Sequence, residues 1–379
     1  MKINREKYKA LIKGYLAGYT PEYVTFCKKR YDGCKYLCGF GVGNMGSGAW
    51  ELANAMGRKL DFYCDNNKAK TGKKDPYGYG VDVISLEELS KFKDETAVMI
   101  PTRYYKEIYS QLKSLNFPMV DRILDGKQGI DEFLKKSNRQ EVIESLENTV
   151  DILADEESCR LLARLIQEWV TNEYVYGQTD DLYTEPQYFP EGIIVNDPDE
   201  VYVDCGAYTG DNIMDFVNYS KGNFRKYYAF ELSKKNYLEL QKNVSENWAE
   251  YADRFVLENK GVSDSTGVIK YEELDEGSKM EARGTVNGKV VALDDYFSPE
   301  EKVTFIKMDI EGAEIQALRG AVRTISGSLP KLAICIYHKP QDLWEIPLFI
   351  KRNWSQYDIF IRHHTDLLNE TVCYAVPRG

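Results

Sequence analysis

The second half of the chain contains a series of apolar, strand-like segments whose connections constrain the fold more than any other feature. Helical segments follow most of the earlier strands, as parallel strands joined by crossovers require. The last two strands are separated only by the short loop DLLNE, so they must be antiparallel. In chain order the segments are VYVDCG, KYYAFEL, RFVLENKGV, TFIKMDI, KLAICIYH, YDIFIRHH and TVCYAV. The pattern predicts a parallel sheet that ends in an antiparallel hairpin.

The first half of the chain has a second, shorter alternation of strands and helices. KYLCGFG, KLDFYCDNN and AVMIPT are expected strands, and YYKEIYSQLKSL is an expected helix. Between the two alternations lie amphipathic helical segments without strands, followed by a polar, tyrosine-rich stretch that we interpret as a lid over a site. We therefore predict an α/β protein with a Rossmann-like domain at residues 1–126, a helical connector with a lid-like loop at 127–195, and a second Rossmann-like domain at 196–379.

Composition excludes several classes of protein. The 379 residues carry 49 Lys and Arg against 60 Asp and Glu, a net charge of −11, so no overall basic field favours nucleic acid as a partner. No apolar run reaches the length of a membrane span. The eight cysteines, in a chain without a secretory signal, are expected to be reduced thiols in a cytoplasmic protein. A small-molecule partner is the simplest expectation, and a homo-oligomer is compatible with it.

Acidic residues end three strands of the second half, at the edge where parallel sheets bind ligands. The stretch VYVDCGAYTGDN forms a glycine turn after a strand, and we expect its glycines to let a ligand approach the backbone. An acidic residue that ends the next strand is well placed to accept both hydroxyls of a ribose. A third acidic group follows the strand TFIKM. The residues concerned are Asp204, Gly206, Gly210, Glu231, Asp309, Glu311 and Glu314.

These motifs, together with FIKMDIEGAEIQALRGA and the closing IYH, RHH and TVCYAV, resemble the FkbM methyltransferase family over about residues 188–376. The resemblance implies a class I methyltransferase sheet of seven strands with a closing antiparallel hairpin. It also implies S-adenosylmethionine as the cofactor and a hydroxyl of a sugar or glycan precursor as the acceptor. The cofactor-binding residues that it implies are Asp204, Cys205, Gly206, Ala207, Gly210, Glu231, Asn259, Gly261 and Asp309.

Methyl transfer to a hydroxyl needs little from the protein beyond alignment and a proton acceptor, because the cofactor carries the reactive methyl group. The catalytic candidates are Asp309, His338 and Glu311. Two of them have a structural alternative: His338 as a hydrogen-bonding core residue, and Glu311 as a solvated turn residue. No metal is predicted, although the acidic cluster has ligands that suit magnesium. His363 and His364 alternate faces on one strand, so at most one of them serves a site.

A second glycine cluster, Gly41-x-Gly43-x-x-Gly46, follows the first strand of the N-terminal domain and precedes a helix. Asp65 comes 19 residues after Gly46, close to where a dinucleotide fold places its ribose-binding acid. The segment resembles the N-terminal Rossmann-like domains of some sugar-modifying enzymes. It either binds a nucleotide or nucleotide sugar, or retains a fold used for docking.

The sequence therefore predicts an S-adenosylmethionine-dependent O-methyltransferase. The alternative is a protein that works through its N-terminal domain, as a nucleotide-sugar- or NAD-binding oxidoreductase, an epimerase-like enzyme or a sensor. No tyrosine–lysine pair of the short-chain dehydrogenase type follows the first glycine cluster, which favours the methyltransferase.

Overall fold

The structure is a computed structural model. It describes residues 3–43, 45–102, 104–123, 126–172, 183–274, 277–280, 284–365 and 368–378. Of the helices that these residues form, none combines the length and the apolar character needed to cross a membrane.

A six-stranded sheet occupies the first third of the chain. Its strands are β1 (Tyr36–Phe40), β2 (Phe62–Cys64), β3 (Lys73–Lys74), β4 (Asp82–Ile84), β5 (Thr96–Ile100) and β6 (Met119–Arg122). The order is β3-β4-β2-β1-β5-β6, and all neighbours are parallel except β3 and β4. The helices are α1 (Arg5–Ala17), α2 (Tyr23–Arg30), α3 (Ser47–Ala55), α4 (Leu86–Leu89) and α5 (Tyr105–Ser114), with a 3₁₀ turn at Ser90–Glu95. The predicted strands of this half are present.

Three helices follow the first sheet: α6 (Lys127–Lys136), α7 (Arg139–Ile152) and α8 (Glu156–Val170). The side chain of Asn138 caps α7 and that of Asp155 caps α8, so both helices begin where the sequence supplies an acceptor for a free N–H. Their apolar faces cover the second sheet, in one continuous core with its buried strands. The predicted connector is therefore a layer of the second half.

Helix α1 belongs to the same layer, which the expected domain boundary at residue 126 did not anticipate. Its buried stripe, Tyr8, Ile12 and Leu16, packs in one core with α7 and α8. Arg139 donates to the carbonyl of Leu16 at 2.8 Å, and Arg5 donates to that of Leu153 at 2.7 Å. An amphipathic stripe shows that a helix is covered but not which element covers it.

Chain segments on either side of the first sheet meet at a buried polar cluster. Asp131 of α6 accepts hydrogen bonds from the Tyr19 hydroxyl and from the backbone N–H of Tyr23, both at 2.9 Å. The Lys127 ammonium, which is fully buried, contacts both Tyr19 and Asp131. The segment that precedes the first sheet in the chain is therefore hydrogen-bonded to α6, the helix that follows this sheet.

The second sheet has seven strands. They are β7 (Val201–Cys205), β8 (Lys226–Phe230), β9 (Phe255–Glu258), β14 (Phe305–Met308), β15 (Lys331–Cys335), β16 (Tyr357–His363) and β17 (Thr371–Pro377), in the order β16-β17-β15-β14-β7-β8-β9. The first five in chain order are parallel, and β17 runs antiparallel to both β15 and β16. All seven predicted strands and the closing hairpin are confirmed. The helices are α9 (Ile213–Ser220), α10 (Lys234–Asn247), α11 (Leu293–Tyr296), α12 (Glu314–Arg319), α13 (Val322–Ser328) and α14 (Asp342–Asn353), with a 3₁₀ turn at Ala249–Tyr251.

A small additional sheet, which the sequence reading did not predict, lies between β9 and β14. Its strands are β10 (Gly261–Val262), β11 (Gly267–Leu274), β12 (Gly277–Met280) and β13 (Val286–Val291), in the order β10-β13-β11-β12. The segment is rich in glycine and charge, and its strands alternate only weakly between apolar and polar residues. A strand stabilised mainly by its neighbours leaves little periodic signal in the sequence.

Candidate active site

A buried ion pair fixes the end of β7. Lys307 Nζ, on the adjacent β14, lies 2.9 Å from Asp204 Oδ1, and each side chain is only 1% exposed. The same ammonium donates to the carbonyl of Gly206 at 2.7 Å, and the Tyr227 hydroxyl donates to Asp204 Oδ2 at 2.6 Å. Burial alone would lower the pKa of Lys307, but the carboxylates of Asp204, Asp309 and Asp211 outweigh it and raise that pKa. Lysine is therefore charged here and holds the turn in place.

The two turn glycines make room for the protein itself. Gly206 has φ +86°, and a Cβ there would lie 1.9 Å from the carbonyl oxygen of Asp309. Gly210 has φ +84°, and its Cβ would collide with Ile213 and Leu240. Both glycines thus permit close packing of β7 against β14 and α10. Of the two, Gly206 also lines the cavity described next.

A cavity of about 390 Å³ opens at the carboxyl ends of β7, β8 and β14. Glu231 lines it from the end of β8, and its carboxylate accepts the backbone N–H groups of Tyr208 at 2.9 Å and Ser233 at 2.7 Å. Burial raises the pKa of Glu231 to about 7, although these two N–H groups and the charge of Lys307 oppose the shift. A carboxylate so oriented can accept hydrogen bonds from two neighbouring hydroxyls.

Asp309 faces the same cavity from the end of β14. Two tyrosine hydroxyls hold its carboxylate: Tyr188 donates to Oδ2 at 2.9 Å and Tyr337 donates to Oδ1 at 3.1 Å. Burial alone would raise the pKa of Asp309, but the positive charges of Lys307 and His338 and the two hydroxyls outweigh it and lower that pKa. Asp309 is therefore ionised and fixed in orientation at the cavity wall.

His338 lies next to Asp309, between carboxylates. Its Nε2 is 3.3 Å from Asp309 Oδ1 and 3.8 Å from Glu311 Oε2, and its Nδ1 is 3.0 Å from Glu314 Oε1. Burial would lower the pKa of His338, but Glu314, Asp309 and Glu311 outweigh it and raise that pKa to about 10. In this arrangement the imidazole carries a positive charge that balances the acidic cluster.

The structure brings the three catalytic candidates to the same cavity wall, together with part of the predicted cofactor set. Those that line the cavity are Gly206, Glu231, Gly261, Asp309, Glu311 and His338. The others lie behind the wall: Cys205 and Ala207 are buried, and Asn259 donates to the carbonyls of Glu231 and Leu232. Asp204 and Gly210 likewise shape the turn from behind it.

Sequence reasoning missed several residues of this wall. Lys307 is a charged residue within an otherwise apolar buried strand, which is a usable signal. Tyr188 comes from the segment interpreted as a lid, of which residues 173–182 lie outside the described part. Glu370 has no signal in the sequence beyond its place in the hairpin loop; burial, and then the charge of Asp309, raises its pKa. Tyr337, Asp211 and Asn369 also line the cavity and were not predicted.

A second cavity of about 340 Å³ adjoins the first and shares Tyr337, His338 and Asn369 with it. Helices α6 and α8 form one side through Gly129, Ile130, Leu165 and Trp169. The opposite side comes from the segment after β15 and from the hairpin loop, which supply Ile336, Lys339, Pro340, Leu343, Leu368 and Thr371. The wall is mostly apolar, and His338 is its link to the acidic residues of the first cavity.

The N-terminal glycine cluster is engaged by its own protein. The Tyr77 hydroxyl contacts the carbonyl of Gly43. A Cβ added to Gly46 would lie only 1.9 Å from the oxygen of the same hydroxyl. Asp65, the predicted ribose-binding acid, accepts the backbone N–H groups of Val42 at 3.0 Å and Asn67 at 2.8 Å. The groups predicted to bind a nucleotide therefore contact the protein itself in this structure.

The topology of the second sheet and the position of its cavity define the class I methyltransferase fold. The family model described as the methyltransferase FkbM domain matches residues 204–366. The second half of the chain therefore carries an FkbM methyltransferase domain.

Comparison with solved structures extends the likeness in fold to the whole chain. The structure of methyltransferase FkbM from Methylobacillus flagellatus KT superimposes with a TM-score of 0.72 at 23% sequence identity, covering 98% of each chain. An rRNA methylase from Streptococcus thermophilus gives a TM-score of 0.33 at 14% identity, over 48% of this chain and 89% of its own. The fibrillarin of Aeropyrum pernix gives 0.32 at 11% identity, over 50% and 70%. No curated protein matched the sequence significantly.

Proposed function

We propose that the protein is an S-adenosylmethionine-dependent O-methyltransferase that acts on a hydroxyl of a sugar or glycan precursor. The observation that carries the proposal is one cavity with two oriented carboxylates, Glu231 at the end of β8 and Asp309 at the end of β14. Glu231 suits the two ribose hydroxyls of a nucleoside, and Asp309 lies where the hydroxyl of an acceptor could contact its carboxylate. An adjoining cavity provides the acceptor with its own route.

The first cavity fits the cofactor residue by residue. Glu231 would accept the two ribose hydroxyls, and Gly261 and Val262 would flank the adenine. Near Gly206 and Asp211 the wall is polar, which suits the amino-acid end of the cofactor. When bound, S-adenosylmethionine supplies an electrophilic methyl group on a sulfonium. The protein therefore needs to hold that group, align the acceptor and exclude water.

The second cavity suits a sugar ring. Trp169 and Leu165 present an apolar surface that can cover the less polar face of a pyranose, and Asn369 and Lys339 offer polar atoms for its hydroxyls. Because Tyr337, His338 and Asn369 line both cavities, an acceptor in the second would direct one hydroxyl toward the first. This junction is the place where we expect the methyl group to be transferred.

Asp309 is the candidate that would accept the hydrogen of the attacking hydroxyl. The hydroxyls of Tyr188 and Tyr337 fix the plane of its carboxylate and leave other lone pairs directed elsewhere. A hydroxyl hydrogen-bonded to Asp309 would have its oxygen positioned for in-line attack. Glu311 flanks the same point and serves as the alternative proton acceptor, whereas the positive charge of His338 keeps Asp309 ionised.

Identification of the ligand that remains on the purified protein tests the function directly. We expect mass spectrometry to find S-adenosylmethionine or S-adenosylhomocysteine, and methyl-labelled cofactor to transfer its label to at least one member of a panel of nucleotide sugars and glycosides. Failure to bind either compound, combined with tight NAD binding that depends on Asp65, would favour the oxidoreductase alternative.

Cofactor affinity should depend on pH through Glu231. Because burial raises the pKa of Glu231 to about 7, the carboxyl group is largely protonated at pH 6 and ionised at pH 8. Only the ionised form accepts two hydroxyl hydrogen bonds, so the Kd for S-adenosylmethionine should fall about tenfold between these pH values. Calorimetric titration measures it. The amino group of the cofactor also titrates, so the comparison is with Glu231→Gln, whose pH dependence should be flatter.

A larger side chain in the second cavity should weaken binding of the acceptor and leave binding of the cofactor unchanged. Gly129 lines that cavity, and a Cβ added there has no described atom within 4 Å. We expect Gly129→Leu to raise the KM for the acceptor found in the panel about tenfold, which is a loss of about 1.4 kcal/mol. The Kd for S-adenosylmethionine should stay within about twofold of the wild-type value in the same assay.

The matched control for this change is Gly327→Leu, on the exposed face of α13 and equally open. It changes the same residue type in a helix without touching either cavity, so its kinetics should match the wild type. An unchanged acceptor KM in Gly129→Leu would show that the acceptor does not use this cavity.

A further inference from the structure

The acidic cluster beside the first cavity has the composition of a cation site. One ligand atom each from Asp309, Glu314 and His338 lies within 4.8 Å of the others. Around a cation with bonds of about 2.1 Å, ligand atoms lie up to about 4.2 Å apart. Small side-chain rotations would therefore bring all three atoms to one ion.

Three buried atoms of this cluster have no hydrogen-bond partner among the described residues. Glu314 is 1% exposed, and its Oε2 has no hydrogen-bond partner among the described residues. Both ring nitrogens of His338, whose side chain is 9% exposed, also lack an aligned partner in that part of the chain. Glu314 Oε1 is close to Nδ1 but lies off the direction of a ring N–H. Buried polar atoms without partners are costly, and a bound ion is one way to satisfy them.

Other contacts hold Glu314 in place for such a role. Its Oε1 accepts the backbone N–H groups of Ile310 at 3.0 Å and Gly312 at 3.3 Å. Gly312 has φ +88°, and this turn directs the carboxylate inward toward His338. The remaining oxygen, Oε2, is the one without a partner.

The charge balance around the cluster also favours a cation. Asp309, Glu311 and Glu314 surround His338, with carboxylate oxygens 3.3, 3.8 and 3.0 Å from its ring nitrogens. The ammonium of Lys339 is directed to the carbonyl of Gly312. Acidic groups therefore outnumber basic ones, and a divalent ion would compensate them.

We propose that Asp309, Glu314 and His338 bind one divalent cation, with Mn²⁺ the most suitable probe. Two carboxylate oxygens and one imidazole nitrogen form a mixed donor set, which suits Mn²⁺ better than Ca²⁺. The site lies at the junction of the two cavities. Its use in catalysis rests on the proposed function: the ion would bind the acceptor hydroxyl and make it easier to deprotonate.

Mn²⁺ titration without cofactor or acceptor tests the site independently of methyl transfer. Loss of the free Mn²⁺ signal in electron paramagnetic resonance should give one ion per wild-type chain. Glu314→Gln, which keeps an oxygen for the N–H groups of Ile310 and Gly312, should bind Mn²⁺ at least about tenfold more weakly. Glu345→Gln, which removes the same charge from an exposed position, should bind like the wild type.

Spin-echo spectroscopy of the wild-type complex gives a readout that needs no variant. The chain has three histidines. His364 uses both ring nitrogens in contacts with Thr184 and Tyr374, and His363 Nδ1 contacts Thr371. Modulation from a coordinated imidazole nitrogen would therefore identify His338. No stoichiometric binding by the wild type, binding without this nitrogen signal, or equal affinity in Glu314→Gln would each overturn the proposal. Methyl transfer that continues without added metal would leave the proposed function standing.

Discussion

Replacement of Glu231 by glutamine is expected to weaken S-adenosylmethionine binding about 100-fold. Hydrogen bonds to a charged acceptor contribute about 1.5–3 kcal/mol each, and 1.4 kcal/mol is a factor of ten in affinity. Glutamine keeps an oxygen for only one of the N–H groups of Tyr208 and Ser233, because these bond to different carboxylate oxygens. It cannot accept from both ribose hydroxyls with a full negative charge. Calorimetry with the purified variant measures the loss.

The matched control for Glu231→Gln is Glu239→Gln, which removes the same charge from the exposed surface of α10. That variant should bind S-adenosylmethionine like the wild type and should unfold at nearly the wild-type temperature. Wild-type affinity in Glu231→Gln would mean that the cofactor does not place its ribose at the end of β8. The assignment of the first cavity would then be wrong.

Replacement of Asp309 by asparagine is expected to lower kcat about 100-fold, while the Kd for S-adenosylmethionine changes by less than about threefold. Proton transfer by a positioned group contributes roughly 10²–10⁴-fold to a rate, and the amide cannot take a proton from the acceptor. The amide has nearly the same shape, so it keeps contact with Tyr188 and Tyr337. Steady-state methyl transfer and calorimetry on the same preparation separate the two effects.

Tyr337→Phe tests whether the orientation of Asp309 matters apart from its charge. It removes the hydrogen bond to Asp309 Oδ1 and leaves the carboxylate in place. We expect a smaller fall in kcat than in Asp309→Asn, with unchanged cofactor affinity. If Asp309→Asn instead abolishes cofactor binding completely, Asp309 belongs to the binding site and its role in the transfer step is wrong.

The arrangement of the second sheet could be predicted because its signals are local. Each strand is an apolar run ended by a turn, and the short loop before β17 requires an antiparallel hairpin. Glu231 and Asp309 could be found for the same reason, since each directly follows a buried strand. Residues at the carboxyl ends of neighbouring parallel strands meet without any further information.

The rest of the site depends on contacts between distant segments. Tyr188 and Asp309 are 121 positions apart, and the sequence does not show that the lid-like loop returns to the sheet. Lys307 and Asp204 pair across adjacent strands, so their match requires the strand order. A glycine with positive φ, such as Gly210, looks the same in sequence whether a ligand or the side chains of Ile213 and Leu240 lie beside it.

The packing of α1 changes how the two halves of the chain relate. Helix α1 covers the methyltransferase sheet together with α7 and α8, and the first sheet lies between α1 and α6 along the chain. The first sheet is therefore an insertion within the methyltransferase body, and its entry and exit meet where Lys127 and Asp131 contact Tyr19. A truncated protein that begins after the first sheet would lack α1 and would leave the apolar faces of α7 and α8 partly uncovered. Replacement of the inserted first sheet by a short linker would keep α1, α7 and α8 together.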